Sequence, residues 1–172
     1  MEIVNIVASV KFPFTFDLNK IEKAYTHICS RPLNFPAVNL KLHFSDLCQI
    51  FSNGNIIVLG EKTIEGTYAL FDSYLELLQH LGYPCIGRNL KIQNIIARYD
   101  HKEKINLNTL ARQTKFEYEP DLFPAVRYRL KDLKITVNIF RTGKCMVLGA
   151  KSIEDINIAK ERLKNLLNNG EN

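Results

Sequence analysis

Cysteine is sparse and unpatterned in this chain. Cys29, Cys48, Cys85 and Cys145 form no C-x-x-C pair, which argues against a zinc module and a disulfide framework. Reduced, intracellular thiols are expected. The four histidines, His27, His43, His80 and His101, are dispersed, no G-x-S-x-G turn or phosphate loop occurs, and no carboxylate pair recurs. Catalysis, a metal and a cofactor are therefore not expected. No apolar run approaches the roughly 18 residues of a membrane span. The start, Met1-Glu2-Ile3, lacks the basic region of a secretory leader, so a soluble, non-secreted protein without membrane contact is expected. Neither sign of charge dominates: 23 Lys+Arg against 18 Asp+Glu leave +5, compatible with an anionic partner and equally with none.

What the sequence does have is repetition. Ile50-Phe51-Ser52-Asn53-Gly54-Asn55-Ile56-Ile57-Val58-Leu59-Gly60-Glu61-Lys62 is answered by Ile139-Phe140-Arg141-Thr142-Gly143-Lys144-Cys145-Met146-Val147-Leu148-Gly149-Ala150-Lys151, a constant 89 residues on. Each copy reads as a β-hairpin turning on Asn-Gly or Thr-Gly. Asn5-Ile6-Val7-Ala8 returns as Asn94-Ile95-Ile96-Ala97 at the same spacing, and Phe35-Pro36-Ala37-Val38 returns as Phe123-Pro124-Ala125-Val126 after 88 residues. One-residue slips of this kind belong in loops. The chain thus divides near Gly82 to Gly87 into two repeats, 1–86 and 87–172.

Each repeat reads β-α-β-β-β-β-α. Residues 2 to 10 form a strand. Asp17 then caps a helix with Ile21, Tyr25 and Ile28 on one face, which Arg31-Pro32 ends. Strands follow near 37 to 43, 46 to 52 and 55 to 60. Thr63 caps a long helix, 64 to 81, with Tyr68, Phe71, Tyr74, Leu75 and Leu78 inward and Gly82 at its end. In the second repeat Asn106 and Ser152 are the caps, Ser152 with Asp155 forming an acidic capping box. Ile156, Ala159, Leu163, Leu166 and Leu167 make the buried stripe of the last helix, and the tail from Asn168 to Asn172 is expected to fray.

Two helices per repeat cover only one face of the strands, yet the strands are apolar at nearly every position. In strand period, Asn138, Phe140, Met146 and Leu148, and by repeat Gln49, Phe51, Ile57 and Leu59, face away from the helices. An uncovered apolar band marks a binding surface. Arg127 and Arg129 share a strand face, Lys41 copies Arg129, and Lys62, Lys144 and Lys151 close the turns. An apolar centre with a cationic rim fits nucleic acid better than a protein partner.

Lys91-Ile92-Gln93-Asn94-Ile95, Tyr118-Glu119-Pro120-Asp121-Leu122-Phe123-Pro124, Ile139-Phe140-x-Thr-Gly-Lys and Gly149-Ala150-Lys151-Ser152 resemble the core of the TATA-box-binding protein family across the whole chain, the second repeat more closely than the first. The resemblance implies an α+β fold: a saddle in which two pseudo-symmetric repeats form one curved, antiparallel ten-stranded sheet with four helices on its convex face. The core alone is matched, without the long amino-terminal extension of many eukaryotic members. It further implies a general transcription initiation factor that binds A/T-rich double-stranded DNA through the minor groove, bends it by about 80°, and recruits a TFIIB-like factor and RNA polymerase. The implied place of action is the nucleus, or a cytoplasmic factory if the source is a large DNA virus.

Carried over by residue, Phe35 with Phe51 and Phe123 with Phe140 are the wedges that unstack base steps. Any one of these alone would read as core; four at matching positions do not. Asn5 and Asn94 are the minor-groove amides, and Val7, Ile57, Ile96 and Met146 pack on the groove floor beside Gln49, Leu59, Asn138 and Leu148. Lys41, Lys62, Arg127, Arg129, Lys144 and Lys151 meet phosphates, although each alone reads equally as a solvated charge. Tyr118-Glu119-Pro120-Asp121 forms the acidic docking site for a TFIIB-like factor. The chain also departs from the family. Leu59 and Leu148 stand where threonine is usual, Gln49 and Asn138 where leucine is usual, Asn53 and Asn55 where serine and lysine are usual. The helix from Ile64 to Leu81 lacks Lys and Arg. These departures imply a shifted or relaxed A·T preference and a divergent relative, as in a parasite or a large DNA virus. They also keep a rival reading open: a protein-docking module that sequesters or scaffolds transcription factors without bending DNA. For the free protein, a homodimer closed over the apolar face stays open as well.

Overall fold

The computed structural model describes residues 1–87, 89–112 and 116–169. Two compact units are present, one of residues Asn5–Gln93 and one in which Met1–Val4 joins the chain from Asn94 onward. Elements run β1 (Glu2–Lys11), α1 (Leu18–Ala24), β2 (Cys29–Ser30), β3 (Ala37–Leu40), β4 (Leu47–Phe51), β5 (Asn55–Glu61) and α2 (Ile64–His80). They repeat as β6 (Lys91–Asp100), α3 (Leu107–Ala111), β7 (Phe116–Glu117), β8 (Ala125–Leu130), β9 (Ile135–Phe140), β10 (Lys144–Ala150) and α4 (Ile153–Asn169). Strand order is β2-β3-β4-β5-β1 in the first series and β6-β10-β9-β8-β7 in the second, with antiparallel pairing throughout each.

Local chemistry sets the helix starts. The Asp17 carboxylate accepts from the Asn19 and Lys20 amides at 3.0 and 3.1 Å, and Asn106 repeats this on Asn108 and Thr109. Thr63 Oγ1 accepts from Gly66 N at 3.0 Å. Ser152 and Asp155 cap each other reciprocally, Asp155 N to Ser152 Oγ and Ser152 N to Asp155 Oδ2. Each such cap stabilises its helix by about 1 kcal/mol.

The first helix is shorter than its apolar spacing implies. It stops at Ala24, so of Ile21, Tyr25 and Ile28 only Ile21 is helical. The cause is tertiary: the Tyr25 hydroxyl donates to the Leu77 carbonyl at 2.7 Å, and Cys29–Ser30 pair with Leu40 and Asn39. Pro32 therefore ends a short strand, not a helix. Asn34, in the loop that leads to Phe35, takes the left-handed conformation (φ 61°) that asparagine tolerates. At the far end α4 continues through Asn168 and Asn169, so fraying does not begin where expected; positions 170–172 lie outside the described residues.

The core of each unit lies between its helices and one strand face. Ala8, Val10, Val38, Leu40, Cys48, Ile50, Ile56 and Val58 meet Leu70, Phe71, Tyr74, Leu75 and Leu78 of α2. In the second unit Ile95, Ala97, Val126, Ile135, Val137, Ile139, Cys145 and Val147 are buried, as are Ile156, Ala159, Leu163 and Leu167 of α4. Tyr68 and Leu166, expected in these stripes, are half-buried at their edges. One polar knot sits in the first core. Asp46, 2% exposed, accepts from the Leu42 and His43 amides and from the Tyr74 hydroxyl at 2.9 Å. Burial holds that phenol well above its ordinary pKa.

Two outcomes are expected. Asp46→Ala leaves the His43 amide without its acceptor, while the Leu42 amide keeps the Tyr74 hydroxyl and that hydroxyl keeps the Leu40 carbonyl, and should lower unfolding free energy by about 2 kcal/mol in urea titration; a change under about 0.5 kcal/mol would show that the knot is dispensable. All four cysteines are free, with three of them buried. Burial pushes Cys85 up to about 11 and Cys145 up to about 12, the latter with help from Asp100. Burial likewise places Cys48 well above its ordinary value. At pH 8, therefore, a thiol reagent should modify half-buried Cys29 first and the others only as fast as the fold opens; rapid labelling of Cys145 would contradict this packing.

Candidate nucleic-acid interface

Strand alternation sends one residue in two away from the helices, and register lines these residues up. In the first unit Asn39, Gln49, Ile57 and Ser9 stand opposite one another across β3, β4, β5 and β1, with Leu47, Leu59 and Val7 as the next row. In the second unit Arg127, Asn138, Met146 and Arg98 form the matching row, with Arg129, Thr136 and Leu148 beside it. Gln49, Ile57, Leu59, Val7, Asn138, Met146, Leu148 and Ile96 are all half-buried, while their chain neighbours Ile50, Ile56, Val58, Val137, Ile139 and Val147 are fully buried. The helices cover only the second set.

An aromatic pair closes each of these faces. Phe51, the last residue of β4, meets Phe35 from the loop before β3, with ring centroids 5.7 Å apart at 61°. Phe140, the last residue of β9, meets Phe123 with centroids 6.0 Å apart at 63°. Edge-to-face contact of this kind holds both rings in place without burying them; Phe35 remains 37% exposed. The loops are fixed from behind, Phe35 N donating to the Pro32 carbonyl and Phe123 N to that of Glu119.

Asn5 and Asn94 are held identically. Asn5 Oδ1 accepts from Gly60 N and Asn94 Oδ1 from Gly149 N, each at 2.8 Å. Both glycines lie at strand irregularities, with φ of 116° and 100°. A Cβ there would run into the carbonyl oxygen of Ser45 or of Lys134. With Oδ1 committed to the backbone, each amide is left with its Nδ2 as a pure donor. The sequence paired these asparagines by repeat; the bond that orients them was not readable from it.

The two amides at leucine positions behave differently. Gln49 Nε2 donates to Asn39 Oδ1 at 3.3 Å. Asn138 Oδ1 is buried with no hydrogen-bond partner, the one such side-chain atom among the described residues. Directly opposite it stands Arg127, but that guanidinium lies over the Phe123 ring, 4.8 Å from the centroid.

Of the candidate cations, Lys41, Lys62, Lys144, Lys151 and Arg127 are exposed and, among the described residues, make no ion pair. Arg129 is already engaged, forking onto Glu117 at 3.0 and 3.1 Å. That hydrogen-bonded guanidinium holds the Glu117 carboxyl below its ordinary pKa. Tyr118 is half-buried, and Glu119, Pro120 and Asp121 are exposed in the loop that carries Phe123. Sequence reasoning missed Arg98, exposed beside Met146 and paired with Glu2 at 2.7 Å, and Ser9, which accepts from Gln93 Nε2 at 2.9 Å. The period-two pattern running on from Asn94 and Ile96 would have found Arg98. Among the described residues no His/Cys/Asp/Glu group could hold a metal, and no helix is long and apolar enough to cross a membrane.

Comparison with known proteins gives this arrangement its context. The family model described as transcription factor TFIID, or TATA-binding protein, matches residues 1–81 and again 89–169. The chain is 33% identical over 168 residues to TATA-box-binding protein-like 1 of Entamoeba histolytica, covering 96% of this chain and 78% of that one. It is also 33% identical over 168 residues to the TATA-box-binding protein of Archaeoglobus fulgidus, covering 95% and 92%. The solved structure of Methanococcus jannaschii TBP superposes with a TM-score of 0.83 at 30% identity, over 98% of both chains. With the family's unit matched twice in succession and its fold reproduced end to end, this chain is a member of the TATA-binding protein family, a transcription factor family that binds DNA.

Proposed function

We propose that this protein initiates transcription by laying the helix-free strand face of each unit into the minor groove of A/T-rich promoter DNA and kinking it. One observation carries the reading: the same aromatic pair, at nearly the same distance and angle, stands at the end of the uncovered face in both units. Phenylalanines held edge-on, Phe35 exposed and the other three half-buried, are suited to wedge between base pairs, where unstacking costs a few kcal/mol per step and is offset by the surface that a bent duplex brings into contact.

The remaining residues take roles that fit their surroundings. Val7, Ile57, Leu59, Ile96, Met146 and Leu148 supply a dry floor. Asn5 and Asn94, with only Nδ2 free, donate to adenine N3 or thymine O2, the acceptors every A·T pair presents there. Lys41, Lys62, Lys144, Lys151 and Arg127 meet phosphates, and Arg129 joins them by exchanging Glu117 for a phosphate oxygen. Tyr118, Glu119, Pro120 and Asp121 offer an exposed acidic loop to a basic TFIIB-like factor, through which RNA polymerase is recruited. In a eukaryotic cell this work is done in the nucleus. Repeats 1–86 and 87–172 act as equivalent halves of the binding core.

The salt dependence of binding tests this directly. Six phosphate contacts predict a log–log slope of affinity against salt of about −5 on an A/T-rich duplex; a slope shallower than about −2 would remove the electrostatic part of the proposal. The double substitution Phe51→Ala with Phe140→Ala should weaken binding roughly 30- to 100-fold, about 2–3 kcal/mol, while circular dichroism reports an intact fold. Undiminished affinity in that variant would show that the rings are not wedges.

A further inference from the structure

The amides on the uncovered faces fall into two kinds. Asn5 and Asn94 have spent their acceptors on Gly60 N and Gly149 N, which leaves donors that suit A·T pairs. Gln49 and Asn138 each keep an acceptor to spare. Gln49 gives one of its two Nε2 hydrogens to Asn39, and its Oε1, which makes no hydrogen bond among the described residues, is left to accept. Asn138 carries an acceptor with no partner at all, because Arg127 across the strand pair is drawn onto the Phe123 ring.

An A·T pair offers nothing to such an acceptor. In the minor groove both of its orientations present acceptors only, and the guanine 2-amino group is the single donor that any base pair places there. We infer that Gln49 and Asn138 are specificity-determining residues that accept from the guanine 2-amino group, so that the bound site carries a G·C pair in each half. The inference rests on the minor-groove reading above and deepens it.

Position supports it. Gln49 is two residues before Phe51 and Asn138 two before Phe140 on the same strand faces, so the pair read lies next to the step that each ring opens. Ile57 and Met146, directly opposite Gln49 and Asn138, keep water from satisfying the amides in its place. Asn138 Oδ1 is buried as it stands, and a half-turn about its terminal torsion, which is soft for an amide, exchanges it with Nδ2 and brings the acceptor out to the base. Two adjacent amides, Gln49 and Asn39, fix the acceptor in the first unit; a single amide with a free torsion serves in the second. The first unit's preference is therefore the sharper.

The test uses the intact chain and a bound A/T-rich duplex in which a single G·C pair is walked through the site. At each position guanine is exchanged for inosine, which lacks only the 2-amino group, and adenine for 2,6-diaminopurine, which gains it. At one position in each half, guanine should bind about tenfold tighter than inosine, and diaminopurine tighter than adenine by a similar factor. Gln49→Leu should bring the ratio to about one at one of these positions and Asn138→Leu at the other. The wild-type arm stands by itself should either variant fail to fold. Inosine binding as tightly as guanine at every position, on duplexes that do bind, overturns the guanine readout and leaves the minor-groove reading in place. Absence of binding to any duplex by the folded chain overturns both.

Discussion

Two helices can bury one face of five strands, and in each unit of this chain they do no more than that. Ile50, Ile56 and Val58 disappear beneath α2 while Gln49, Ile57 and Leu59, their neighbours along the strands, are left half-covered. Leaving apolar strand surface bare gains the protein nothing in stability. A partner would cover it, and the widened, phosphate-rimmed minor groove proposed above is flat enough to do so. Phenylalanine pairs, asparagine donors and peripheral cations all depend on that uncovered face being present.

Repetition of the unit has been kept strictly in some places and loosely in others. Ring pairs, asparagine–glycine bonds and the Asp17 and Asn106 caps recur with distances that agree within a few tenths of an ångström. The flanks have diverged. Asn39 is answered by Arg127, Ser9 by Arg98 and Lys41 by Arg129, so the second unit carries more positive charge on this face, part of it held by Glu117 and Glu2. Among the described residues the buried Asp46 knot has no counterpart in the second unit, where Ile135 fills the repeat-equivalent position.

Much of this was legible from residue spacing. The 89-residue repeat, the hairpins, the caps at Asp17, Thr63, Asn106 and Ser152, and the inward stripes of the long helices follow from local chemistry and periodicity, which sequence records directly. What was not legible depends on groups far apart in the chain. The first helix stops at Ala24 because of Leu77 and Leu40, and no local signal reports either. The asparagines could be paired by symmetry, but not seen to spend their acceptors on glycine amides 55 residues away. The contrast between Gln49, bonded to Asn39, and Asn138, with its acceptor orphaned, likewise arises only when strands β3 and β8 are brought alongside them.

The central claim is that the aromatic pairs do mechanical work on DNA. Energy transfer between dyes at the two ends of a short A/T-rich duplex measures this most directly. Saturating protein should shorten the end-to-end distance by the amount a kink of about 80° requires. A complex of full affinity in which the dye separation stays that of the free, straight duplex would contradict the account.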